Sequence, residues 1–181
     1  MTIIETDRLR LRHFTLEDAE FARELVNDPA WLRFIGDRGV RTLEDARVYI
    51  GETLTHYEQH GFGAYVVEVI ETGVPIGNCG LFKREGLPGV DVGFAFLEKY
   101  RGRGYAWEAA TAVLRLARER FELKRIEAFT VPSNADSSRL LEKLGLRFER
   151  TLRMPGDSED VSQYAIEWGN ENPLGERRVL E

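Results

Sequence analysis

Arg101, Gly102, Arg103, Gly104, Tyr105 and Ala106 are the residues whose types and spacing point most directly to chemistry. They follow an apolar run and lead into a stretch with helical spacing. A helix opening from such a loop exposes unpaired backbone N–H groups at its positive end, a ready site for phosphate. Gly102 and Gly104 let the backbone approach an anion with no side chain between. Arg101 and Arg103 add positive charge. Three loop patterns compete. A Walker A loop needs Gly-x-x-x-x-Gly-Lys-Ser/Thr, and no such run occurs. A Rossmann fingerprint needs a third small residue where Trp107 stands, and an indole there blocks close packing of helix on strand. The pattern Arg/Gln-x-x-Gly-x-Gly/Ala is met by Arg101, Gly104 and Ala106. A surface turn with solvated arginines is the plain alternative.

The elements that must position this loop belong to an ordinary soluble chain. Its 181 residues suit one domain, placed at 1–168, with 169–181 as a polar tail. The formal net charge is −6 and no long basic block occurs, which argues against non-specific nucleic-acid binding. A mildly acidic surface suits a cationic substrate such as an amine but does not require one. The longest apolar stretch, 64–70, is interrupted by Glu68 and is too short to span a membrane. No secretory signal is evident, and the single cysteine, Cys79, excludes an internal disulfide framework, so a cytoplasmic location is expected.

Residues 3–14 contain Arg8-Leu9-Arg10-Leu11-Arg12, whose strict alternation predicts a strand with one apolar and one basic face. Thr15-Leu-Glu-Asp18 and Thr42-Leu-Glu-Asp45 read as capping boxes that start two helices. Asn27-Asp28-Pro29 stops the first, and an apolar segment with Trp31, Leu32, Phe34 and Ile35 follows. The second ends before Gly61. Strands are then expected at 64–71, 76–83 and 90–97, forming an antiparallel meander. After the glycine loop, Ala106, Ala109, Ala110, Val113, Leu114, Ala117 and Phe121 make a helical stripe. A strand at 125–131, a helix at 136–144 stopped by Gly145, and strands at 146–154 and 162–168 complete the chain, with Pro155-Gly156-Asp157 in the last turn. The fold class is α/β with a mixed, mainly antiparallel sheet. A right-handed crossover places the strand ending near Leu97 parallel to the one ending near Val131.

With these elements in order, the chain resembles the Gcn5-related N-acetyltransferases (GNAT) of the RimJ/RimL type from about Thr6 to Trp168. The loop pattern resembles that family's pyrophosphate loop. Thr6-Asp-Arg-Leu-Arg-Leu-Arg12, Thr15-Leu-Glu-Asp18, Asn27-Asp-Pro29, Gly104-Tyr-Ala106 with Glu108-Ala109, and Asn134-x-x-Ser137-x-x-Leu140-Leu-Glu-Lys-Leu-Gly145 resemble its landmarks in sequence order. The resemblance implies acetyl-coenzyme A as co-substrate and no metal. It implies a bulge at Phe94, Ala95 and Phe96 that splays this strand from its parallel neighbour, with pantetheine in the gap. Arg101, Gly102, Arg103, Gly104, Tyr105 and Ala106 would hold the pyrophosphate through backbone N–H groups, and Asn134 would bond the pantetheine arm. The acceptor pocket would lie by the first two helices and their aromatic link.

Direct attack of an amine on the thioester needs a way to lose the ammonium proton and a proton for the leaving thiolate. Where many members of the superfamily have an acid tyrosine, this chain has Leu141. Ser137, at the position some RimL-like members use, is expected as the acid, with a helix-start role as the alternative and Tyr164 as a stand-in. Leu152 stands where RimL-like sequences have a glutamate, so Asp91 is the expected base, ahead of Glu68 and Glu71. Cys79 reads as a core residue, and His13, His56 and His60 lack ligand spacing. The expected function is an N-acetyltransferase acting on a protein N-terminus or a small-molecule amine. The alternative is a non-catalytic acyl-coenzyme A-binding module or sensor. Neither nucleic acid nor membrane is expected as partner, and a homodimer is left open.

Overall fold

The computed structural model describes residues 2–154 and 159–169. Residues 3–14 hold two strands where the alternation predicted one, β1 (Thr2–Glu5) and β2 (Leu9–Arg12). Between them the Thr6 hydroxyl accepts from the Leu9 N–H at 3.0 Å, and the Thr6 N–H donates to the Leu9 carbonyl at 2.9 Å. These bonds reverse the chain, and β1 pairs back on β2. The first capping box lies on a 3-10 turn (Leu16–Asp18), with the Thr15 N–H donating to the Asp18 carboxylate at 2.8 Å. The turn runs directly into α1 (Ala19–Val26). Asn27-Asp28-Pro29 stops this helix and also starts another. The Asp28 carboxylate accepts from the Ala30 N–H at 3.0 Å and Pro29 takes the first helical position, so the apolar segment forms a short helix, α2 (Pro29–Phe34). The second capping box opens α3 (Leu43–His60), which ends on left-handed Gly61.

The meander follows as β3 (Ala64–Val69), β4 (Val74–Phe82) and β5 (Asp91–Phe96). Then come α4 (Tyr105–Glu119), β6 (Arg125–Thr130), α5 (Ala135–Lys143), β7 (Arg147–Arg153) and β8 (Asp160–Glu167). Among the described residues the strands make one sheet in the order β1-β2-β3-β4-β5-β6-β8-β7, antiparallel except at β5–β6. The last strand, β8, lies beside β6, which leaves β7 at the edge. The turn at 155–157 and the tail beyond Gly169 lie outside the described residues.

Side chains alternate across the sheet, so each strand feeds two cores. On one face the small residues Ala109, Ala110, Val113 and Ala117 bring α4 down onto Tyr65, Cys79, Leu81, Val92 and Ile126. Leu141 of α5 joins this layer. On the other face α1, α2 and α3 supply Phe21, Leu25, Trp31, Ala46 and Ile50 against Ala64, Val66 and Leu97.

One feature of this sheet opens a gap between two neighbouring strands. β5 meets β6 at a single paired position, Asp91 with Glu127. Beyond it β5 stays in register with β4, from Phe82↔Asp91 to Gly77↔Phe96, while β6 stays with β8. The bulge expected at residues 94–96 is absent, because the β4–β5 register has no shift. The gap comes from two strands that each follow their antiparallel neighbour.

Close backbone approach gives a test of the packing. A Cβ on Gly80 would collide with the Gly63 carbonyl oxygen and come within 2.7 Å of the Ala64 Cα, both backbone atoms of the neighbouring strand region. Gly51, inside α3, has nothing within 4 Å of such a Cβ. Gly80→Ala is expected to lower stability by about 2 kcal/mol, roughly 4–8 °C in melting temperature. Gly51→Ala should raise it by about 0.5–1 kcal/mol through helix propensity. Thermal and urea melts of the two variants check the contrast.

Candidate active site

The loop between β5 and α4 closes on two left-handed glycines, Gly102 (φ +74°) and Gly104 (φ +80°). A Cβ at Gly102 meets open space, and one at Gly104 comes no closer than 3.4 Å to the Arg8 guanidinium. Backbone conformation is therefore the reason for glycine at both positions. Gly104 is the N-cap of α4 and supplies no side-chain bond to the first turn. The N–H groups of Tyr105, Ala106 and Trp107 start the helix without intrahelical partners, and the first bond to the cap carbonyl comes from Glu108 at 3.1 Å. This first turn lies just past the C-terminal end of β5, on the side where β5 and β6 have parted.

Two carboxylates brace the loop. The Arg101 guanidinium donates to Asp28 and, at 2.8 Å, to the Phe96 carbonyl. Asp28 also accepts from the Glu98 N–H at 3.1 Å, so the cap of α2 grips the segment leading into the loop. Burial alone would raise the Asp28 carboxyl, but the bonds from Arg101, Ala30 and Glu98 outweigh it and hold the group below the usual carboxylate range. Opposite, Glu108 accepts from the Thr6 hydroxyl (2.6 Å), the Arg8 N–H (3.0 Å) and the Arg8 guanidinium (2.6 and 2.7 Å). Arg8 also donates to the Arg103 carbonyl at 3.0 Å. The basic face of the first strands is thus a set of partnered arginines: Arg8 with Glu108, Arg10 with Glu5, and Arg12 with Asp18 and Glu68.

The roles of Asp28, Glu108 and Arg8 were missed in the sequence, although a signal for one of them was present. Glu108, a carboxylate in the first turn of the helix that follows a basic strand, is such a signal, since Arg8 is the cation it holds. Arg101, expected to lend charge to the anion, is instead tied to Asp28 and Phe96. Arg103 is exposed, with its guanidinium carbon 5.9 Å from the Tyr100 ring centre.

Along the gap, Phe94 and Ala95 of β5 are half-buried and Phe96 is buried. Past the end of β6, the Asn134 side-chain oxygen accepts from the Ser137 N–H at 3.2 Å, which makes Asn134 the cap of α5. Its amide NH2 and the Ser137 hydroxyl make no hydrogen bond among the described residues. Ser137 is therefore no helix cap, and it lies one turn before the buried Leu141 on the inner side of α5. Leu141 and Tyr164 are core residues.

The base candidates stand elsewhere. Asp91 is 2 % exposed, receives two bonds from Arg84 at 2.7 and 2.9 Å, and stands where the gap is closed. Burial pushes its carboxyl upward against the pull of Arg84. Glu68 is paired with Arg12 at 2.6 Å, and Glu71 is exposed in a turn. Cys79 is fully buried, and desolvation pushes its thiol up. No group of three or more His, Cys, Asp or Glu able to hold a metal occurs among the described residues. A surface hollow of about 890 Å³ beside α1, lined in part by Glu20, Phe21, Glu24 and Arg41, reaches Lys99 at the start of the loop but includes neither the glycines nor the residues along the gap.

Comparison with known proteins places this geometry. Residues 8–147 match the family model described as Acetyltransferase (GNAT) domain. The uncharacterized N-acetyltransferase YnaD of Bacillus subtilis (strain 168) is 30% identical over 174 residues, covering 91% of this chain and 98% of that protein. A GNAT-family acetyltransferase structure from Bacillus anthracis is 30% identical, with a TM-score of 0.77 over 92% of this chain and 98% of its own. RimL, a ribosomal alpha-N-protein acetyltransferase solved in complex with coenzyme A, has a TM-score of 0.79 at 18% identity over 92% of this chain and 98% of its own, a likeness of fold.

The Asp28 brace predicts an acid-sensitive step in stability. The folded-state value of Asp28 lies below the unfolded one near 3.9. Its contribution is fully present above that value and lost as pH falls through the folded one. Asp28→Asn is expected to lower stability at pH 7 by about 2 kcal/mol and to flatten the loss that wild type shows below about pH 4. Urea melts across that range provide the check.

Proposed function

The chain belongs to the GNAT acetyltransferase family, and on that premise we propose that it transfers the acetyl group of acetyl-coenzyme A to a primary amine by direct attack. One observation carries the reading. The helix turn left open by Gly104 stands at the parted ends of β5 and β6, so an anion cradle adjoins a slot for an extended chain. The N–H groups of the turn suit a diphosphate. The unpaired backbone facing across the gap suits the amide groups of pantetheine. Phe94, Ala95 and Phe96 line the slot, and the free NH2 of Asn134 serves as a donor to a pantetheine carbonyl. Arg101 acts by bracing the loop, and Gly102, Arg103, Gly104, Tyr105 and Ala106 present the backbone.

In the reaction the amine nitrogen bonds to the thioester carbon, the C–S bond breaks, and the electron pair leaves on sulfur. The Ser137 hydroxyl, unengaged beside the cap of α5, donates a proton to that thiolate and is restored from solvent. Asp91 is assigned a structural part, because Arg84 occupies its carboxylate. The proton lost by the amine passes to water. The acceptor is a protein N-terminus or a small amine, and the buried single thiol suits the reducing cytoplasm. Steady-state thiol release with a panel of N-terminal peptides, polyamines and amino acids tests the activity. Consumption of acetyl-coenzyme A without acetylation of any amine would count against it.

Coenzyme A at a hundred times its Kd is expected to stabilise wild type by about 2.7 kcal/mol. Gly104→Asp should abolish the shift, since it places a carboxylate against the diphosphate and strains a left-handed position. Equal thermal shifts in the two proteins would remove the cradle assignment.

Ser137→Ala should lower kcat about a hundredfold, on the order of 3 kcal/mol in the barrier. Melting temperature and coenzyme A affinity should be unchanged, because the hydroxyl bonds nothing in the fold. Turnover, affinity and melting on one preparation decide this, and an unaltered kcat would return the proton to solvent.

A further inference from the structure

Asn78 stands in the middle of β4, next to Cys79, whose side chain belongs to the α4 layer. Its cross-strand neighbours are Val66 of β3 and Ala95 of β5. Residues directly opposite each other in an antiparallel pair share a face. Val66 is buried in the layer of α1, α2 and α3, and Ala95 packs against it, so Asn78 projects to that side. The residue is 5% exposed, yet neither polar atom of its amide has a hydrogen-bond partner among the described residues. Withdrawing an amide from water without a partner is unfavourable. Among the described residues, the only fully enclosed side-chain nitrogen or oxygen without a partner is the Trp31 indole nitrogen, so the Asn78 amide keeps a small opening. It is an almost buried group with both of its hydrogen-bonding atoms still to be used.

We infer that Asn78 is a specificity-determining residue whose side chain hydrogen-bonds an uncharged amide that the acceptor carries beside its attacking amine. The inference rests on the N-acetyltransferase reading and narrows the acceptor within it. Ala95, across from Asn78, lines the gap assigned to pantetheine. Helices α4 and α5, which carry the cradle, Asn134 and Ser137, cover the opposite face of the sheet. The side of α1, α2 and α3 is therefore left for the amine, and an acceptor entering there meets Asn78. A carboxamide offers N–H donors and a C=O acceptor, so it pairs side by side with another amide. The surroundings exclude charge. The layer is built from residues such as Phe21, Leu25, Trp31 and Val66. The buried carboxylates Asp18, Asp28 and Asp91 are each held by an arginine, Arg12, Arg101 and Arg84. A carboxylate or a second ammonium placed at Asn78 would be buried without a counter-ion.

The experiment measures kcat/KM of the full chain at saturating acetyl-coenzyme A for five amines. They are alaninamide, its isostere with an isopropyl group in place of the amide, alanine, the diamine with an aminomethyl group in that place, and the tripeptide alanyl-glycyl-glycinamide. Wild type is compared with Asn78→Leu, which keeps the volume and removes both hydrogen-bonding atoms. Asn78→Ala gives the same comparison should leucine not fit. Wild type should prefer alaninamide about thirtyfold over the isopropyl isostere, and about a hundredfold over alanine and the diamine. In Asn78→Leu the preference over the isostere should collapse to near parity. Coenzyme A affinity should be unchanged and the melting temperature equal or higher, because the amide bonds nothing in the fold. A tripeptide better than alaninamide identifies the amide as a peptide bond, and parity identifies it as a carboxamide; each supports the inference. A wild type indifferent to the amide, or a preference that survives in Asn78→Leu and Asn78→Ala, overturns the inference while amine acetylation stands. Absence of acetylation with all five amines overturns both.

Discussion

Two parallel strands that meet at one position are the constraint on which the rest of this molecule depends. Backbone N–H and C=O groups seek partners, and a sheet interior left unpaired is unfavourable unless something else supplies them. β5 and β6 accept that condition because each is held elsewhere, β5 in an unbroken ladder with β4 and β6 in one with β8. The closed end is pinned by Asp91 and Glu127 in register, with Arg84 and Arg125 drawing their charge sideways. The open end is where the proposed pantetheine slot lies.

A cradle made of backbone has no side chain to hold it in shape, so its shape must come from its surroundings. Here the support arrives from both ends of the sequence. Asp28, as the cap of a short helix, fixes the approach through Arg101 and the Glu98 N–H. Glu108 fixes the exit through Thr6 and Arg8 of the first hairpin. These carboxylates lie close to the helix turn proposed to hold a diphosphate, and each is neutralised by the arginine it holds. Charge and rigidity are thus supplied by the same contacts.

Much of this was legible in the residues. Capping boxes at Thr15 and Thr42, the alanine stripe of α4, and the stop at Gly145 are local signals, and local signals survive in a single sequence. The glycine loop was readable because left-handed backbone and anion approach both demand glycine. What stayed hidden depends on which groups the fold brings together, near or far in sequence. The break in residues 3–14 was set by the Thr6 hydroxyl, which competes with ladder bonding. Asp28 looked like a helix stop because its partner Arg101 is far away in sequence. Arg84 is only seven residues from Asp91, yet their pairing depends on how the β4–β5 connection folds back, which residue types alone do not reveal. The origin of the gap was also invisible, because divergence of two strands has no residue signature of its own.

The single cysteine has a bearing on how such a protein survives its own chemistry. A product that carries a free thiol is a partner for disulfide exchange with any accessible cysteine, and exchange requires a thiolate that can be reached. Cys79 is fully buried in a central strand with its thiol pushed toward the protonated form. Under the proposed reaction, free coenzyme A can therefore accumulate around the protein without capping it covalently. A colorimetric thiol reagent added to the folded protein will report the small molecule alone.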